Sequence, residues 1–109
     1  MIYKVHLLAF RGHGANPIRE VEVNNPVNDV EGLLEQIFYN GQNYVQLRDK
    51  CFSVSVGDVI ELKEDDYHLV MPVGFLKITP EAFGVWQQNS HSLIMDEEQF
   101  NQEIAQAQS

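Results

Sequence analysis

Residues 52–78 read FSVSVGDVIELKEDDYHLVMPVGFLKI, and their alternation decides the fold class. Ser53-Val54-Ser55-Val56 runs into a Gly57-Asp58 turn, and Val59-Ile60-Glu61-Leu62 follows. Lys63-Glu64-Asp65-Asp66 is a polar turn, Tyr67 to Met71 reads as a strand, Pro72-Val73-Gly74 breaks it, and Phe75 to Ile78 is a last strand. Side chains in a strand point to alternate faces, so short alternating runs between tight turns spell a β-meander.

Upstream, Ile2 to Phe10 reads as a strand with Tyr3, Val5, Leu7 and Ala9 on one face. Ile18 to Val23 alternates again, and the two are expected to pair as a hairpin across the loop of residues 11–17. Val30, Leu33, Leu34, Ile37 and Phe38 recur at the spacing of an amphipathic helix, which predicts a helix over residues 29–40. Asn28 is the expected N-cap, with Glu31 completing a capping box. Gly41 is expected to end the helix in the left-handed conformation. Residues 42–51 lack a period and read as loop.

Thr79-Pro80-Glu81 supplies a hydroxyl cap, a proline at the first helical position and an acid in the first turn, which marks a helix start. A further helix begins near Asp96 with Phe100 and Ile104 on its apolar stripe. The expected fold is α+β: an antiparallel sheet of five or six strands, one packed amphipathic helix and a helical C-terminus. Residues 1–105 form one domain, and 106–109 are expected to fray.

Composition bounds the function. The chain has 109 residues, of which 44% are hydrophobic and 21% charged, so a core can form. One cysteine, Cys51, excludes an intrachain disulfide and a multi-cysteine zinc site. The N-terminus lacks signal-peptide character, and the apolar runs are strand-sized, which leads to the expectation of a cytoplasmic protein with no membrane partner.

The net charge is −9. Residues 1–50 carry five basic residues (Lys4, Arg11, Arg19, Arg48, Lys50) against six acids, and residues 51–109 carry Lys63 and Lys77 against ten, so the halves hold −1 and −8. Such a surface repels nucleic-acid phosphates and attracts basic proteins. The acids expected to meet a partner are Glu61, Glu64, Asp65, Asp66, Asp96, Glu97 and Glu98. The same charges also serve solubility alone.

Chemistry-bearing patterns are sparse. His6, His13, His68 and His91 show no metal-ligand spacing, so neither metal nor cofactor is expected. His6 and His68 fall in strands and can meet across a sheet, with Glu20 or Glu22 nearby; a small hydrolase using both histidines and a carboxylate is one alternative. Arg11-Gly12-His13-Gly14-Ala15-Asn16 follows a strand as phosphate-binding loops do, but a proline and a second strand follow it, so it reads as a hairpin loop. Cys51 lies beside Arg48 and Lys50, which favours a thiolate, yet a lone cysteine is more often a packed side chain.

Residues 52–78 resemble the small YodL-like domain of bacterial and mobile-element proteins, in which a strand pair like Ser53 to Leu62 precedes a tyrosine-bearing strand and a Gly-Phe strand. The resemblance implies a phage or mobile-element setting and brings no activity, hence no site residues. Gly57 departs from that pattern. The Val56-Gly57-Asp58-Val59-Ile60 turn is also similar to PUA and ASCH barrels, which implies RNA or nucleotide binding as a further alternative. The expectation retained is a non-enzymatic module that binds a basic protein and masks its surface.

Overall fold

The structure, a computed structural model, describes residues 1–8, 18–41, 54–88 and 96–108. Five strands, β1 (Ile2–His6), β2 (Ile18–Glu22), β3 (Val59–Lys63), β4 (Asp66–Val70) and β5 (Phe75–Ile78), form one sheet in the order β2-β1-β3-β4-β5. Every neighbouring pair is antiparallel. Among the described residues there are three helices: α1 (Val30–Asn40), α2 (Pro80–Gln88) and α3 (Glu97–Gln108). The architecture is α+β, as the alternation and the helical stripe imply.

Strand parity divides the core in two. Tyr3, Val5, Ile60 and Val70 point to one face and pack with Val21, Val23, Leu34 and Ile37, so α1 covers that side. Val59, Leu69 and Ile78 point to the other and pack with Phe83, Trp86 and Phe100 of α2 and α3. Each fully buried aliphatic or aromatic side chain contributes about 1.5–3 kcal/mol. The sheet is therefore sandwiched between helices, where the sequence suggested one covered face.

Helix α1 starts one residue later than its composition suggests. Asp29, not Asn28, is the N-cap, and its carboxylate accepts the Gly32 amide at 2.9 Å. Gly41 ends the helix in right-handed geometry (φ −73°) and not in the left-handed conformation. Its hydrogen is required for a different reason: a Cβ there would overlap Cγ2 of Val54.

Residues 54–56 do not form the expected strand; the chain turns at Val56-Gly57, overlapping the Gly57-Asp58 turn expected from the sequence. Val54 is buried, and its amide goes to the Gly41 carbonyl at 3.2 Å. Asp58, fully buried, accepts the Ser55 amide at 2.8 Å, while Gly57 takes a positive φ of 99°. The segment is held by one carboxylate and one glycine, so its alternation marks a buried Val54 and a half-buried Val56, with no ladder at residues 54–56.

Thr79 caps α2 through the Ala82 amide at 3.1 Å, and Asp96 caps α3 through the Gln99 amide at 2.8 Å. Helix α3 carries residues 106–108, expected as a frayed end, within its last turn. The Arg11–Pro17 loop, the loop over residues 42–51, Phe52, Ser53, Cys51, His13 and His91 lie outside the described residues.

Candidate functional site

The two strand histidines do not share a site. His6 lies opposite Val59 in the β1–β3 register, and Val59 lies opposite Leu69, so His6 faces α2. His68 lies opposite Ile60 and therefore faces α1. One sheet thus separates the two rings, and the hydrolase arrangement that joins them is not formed.

Each histidine has its own carboxylate. His6 Nε2 is 2.8 Å from Glu61 Oε1, and His68 Nε2 is 3.0 Å from Asp66 Oδ1. A carboxylate accepts, so Nε2 carries the proton in both rings. The His6 ring also meets Phe83 edge-on at 4.8 Å and Tyr67 at 6.1 Å. Glu20 and Glu22, expected near His6, are exposed and lie opposite Lys4 and Ile2. Glu61 was not legible as the partner, because β1 sits between β2 and β3 and no local pattern announces that pairing.

Glu61 and Asp66 were expected to face water and do not. Their side chains are only 17% and 16% exposed and are turned toward histidines. Lys77 adds a 3.6 Å contact to Asp66, but its side chain is largely solvated, so the pair contributes little.

The remaining acids gather around one phenol and one helix start. Tyr67 faces α2, and its phenol is pushed above its ordinary value by burial, then by the charges of Glu61, Asp65 and Glu64; Asp65 also accepts its hydrogen bond. Asp65 holds a left-handed backbone (φ 63°) at the tip of the β3–β4 turn, which a short polar side chain tolerates. Asp96, Glu97 and Glu98 open α3 on the same side of the sheet, and Asp66 lies on the other. Glu64, Asp65, Asp96, Glu97 and Glu98 are all exposed. The outer face of α3 continues with Asn101 and Gln102, which line a shallow depression with Glu97 and Glu98.

None of the three helices contains a lysine or an arginine. The described cations lie on strands: Lys4, Arg19, Lys63 and Lys77. Arg19 is engaged by the Gly41 carbonyl. Arg11, Arg48 and Lys50 lie outside the described residues. Among the described residues, no group of three or more His, Cys, Asp or Glu side chains is arranged to hold a metal ion, and no helix is long and apolar enough to cross a membrane.

No protein-family model, no curated protein and no solved structure matches the chain.

Proposed function

We propose that this chain is a non-enzymatic interaction module whose acidic α2–α3 side docks against a basic protein surface. The observation that carries the reading is the absence of any cation from α2 and α3, together with Glu97 and Glu98 standing exposed at the start of α3. Glu64 and Asp65 extend the negative field beyond the helical layer at the β3–β4 turn. Fixed like charges on one side raise the encounter rate with a basic partner and repel phosphates. In this reading the acids stand in for a nucleic-acid backbone and mask the surface that would bind it.

The histidines add support of a different kind. Both Nε2 atoms are taken up by carboxylates between sheet and helix, which is the arrangement of structural pairs that secure strand faces.

The experiment is a pull-down of a polylysine-bearing protein and a gel shift with duplex DNA, each at low and physiological salt. Exposed charges are screened over about 8 Å at physiological ionic strength, so capture should weaken as salt rises. Glu97→Lys combined with Glu98→Lys should lower capture further without altering the fold. Salt-independent capture overturns the electrostatic reading. Firm DNA binding at physiological salt replaces it with nucleic-acid recognition.

A further inference from the structure

The two edges of the sheet are finished differently. At β2, Val23 and Met1 exchange hydrogen bonds at 2.8 Å, so the neighbouring Glu22 directs its backbone outward. The Asn40 side-chain amide meets that outward carbonyl at 2.9 Å. The C-terminal end of α1 therefore covers the β2 edge at this point.

Nothing comparable covers β5 among the described residues. The Val70 amide bonds to Asp58 at 2.8 Å, and its carbonyl takes the Gly57 amide at 2.9 Å, so Val70 faces away from β5. Backbone direction alternates along a strand, which makes Leu69 and Tyr67 the residues that bond across to Leu76 and Ile78. Phe75 and Lys77 then point their N–H and C=O groups outward, two donors and two acceptors in one row. Among the described residues, no strand lies beyond them in the sheet order. Such a row is a template for another strand.

We propose that β5 pairs antiparallel with β5 of a second copy of this chain, continuing the sheet across a two-fold axis at Leu76. Hydrogen-bonded pairs must join the outward residues, so Phe75 sits opposite Lys77 of the second copy and Lys77 opposite its Phe75, with the two Leu76 side chains facing each other. A lysine on an edge strand commonly discourages pairing. This register removes that obstacle, because each Lys77 meets an aromatic ring and not another cation.

Charge selects the occupant. The stretch from Tyr67 to Pro80 contains no acid and one cation, Lys77, in a chain of net −9. It contains the open edge, so two copies approach there without setting acid against acid. A basic partner is drawn instead to the helical side, and an acidic one is repelled by the rest of the molecule. The half-buried Phe75 and Leu76 supply apolar contact on the two faces of the joined strands.

The test is light scattering after gel filtration, from micromolar to millimolar protein, at low and high salt. The expected mass rises with concentration toward twice 12.5 kDa. Salt promotes the change by screening the mutual repulsion of the two chains, the opposite sign to capture of a basic partner. Lys77→Pro removes one outward donor and leaves the β4–β5 ladder untouched, so it should hold the protein at the monomer mass. Amide exchange gives a second reading that needs no variant. Phe75 and Lys77 should become protected as wild-type protein is concentrated, whereas Leu76 and Ile78 stay protected throughout. A wild-type mass that stays at 12.5 kDa in high salt at millimolar concentration overturns the proposal. So does a dimer undiminished in folded Lys77→Pro, or exchange at Phe75 and Lys77 that ignores concentration.

Discussion

Tyr67 lies flat on Phe83, the ring centroids 4.0 Å apart and the planes 10° from parallel. The stack ties β4 to α2 and holds the phenol at the rim, where burial and then Glu61, Asp65 and Glu64 disfavour its ionisation. In the unfolded chain the group ionises near 10.0, and in the folded protein it does so higher. Below the unfolded value both states keep the proton. As pH rises above it, the unfolded state loses the proton first, so stability falls toward the folded value. Urea midpoints measured on either side of that pH should drop more steeply for wild type than for Tyr67→Phe, and equal slopes would refute this account.

Gly41→Ala tests the approach of Val54. The backbone at Gly41 suits alanine, so the main cost comes from the overlap between the new methyl and Val54 Cγ2, with the Ile37 carbonyl and Val54 Cβ each 3.2 Å away adding to it. Overpacking of this kind costs about 1–3 kcal/mol. Combining it with Val54→Ala removes the obstructing methyl, and the double variant should lose less than the sum of the single ones. Strict additivity in chemical denaturation would show that the two sites do not touch.

Leu34 is 3% exposed at the centre of the α1 face. Leu34→Ala should lower stability by about 2–5 kcal/mol, the range for a truncated core leucine. An unchanged denaturation midpoint would place the residue outside the core.

Trp86 donates its indole N–H to the Gly57 carbonyl at 2.9 Å, in a buried contact that fastens α2 to the turn before β3. Trp86→Phe keeps much of the ring and loses the donor. A buried carbonyl left without its partner costs about 1–3 kcal/mol. A loss no larger than the difference in ring burial would mean that water replaces the indole.

Much of this fold is legible in the sequence, and the parts that are not have a common cause. The stripe from Val30 to Phe38 marks α1, and Phe75 to Ile78 delimits β5, because each signal lies within one element. Local signals misplace the Asn28 cap by one residue, since Asn28 and Asp29 are both good caps and only the geometry of the entering chain selects between them. Val54 to Val56 alternates like a strand because its valine packs on Gly41, a contact between distant segments. The candidate site suffers most from this blindness. Glu64, Asp65, Glu97 and Glu98 are exposed in the way their turn and helix-start positions suggest. Glu61 and Asp66 are turned inward by histidines, and His6 finds Glu61 only because β1 inserts between β2 and β3. Which face His68 occupies follows from its register with Ile60, a fact that no single strand contains.

The absence of lysine and arginine from the three described helices also governs how the chain can be cut. Trypsin cleaves after lysine and arginine, and the helices offer it neither. Limited digestion can therefore begin only at the strand cations Lys4, Arg19, Lys63 and Lys77 or after Arg11, Arg48 and Lys50. Beyond Lys77 no site remains as far as Ser109, so α2 and α3 leave as one peptide. Lys77 is itself solvated on the outermost described strand, and a nick there would sever α2 and α3 from the sheet while leaving α1 attached to it.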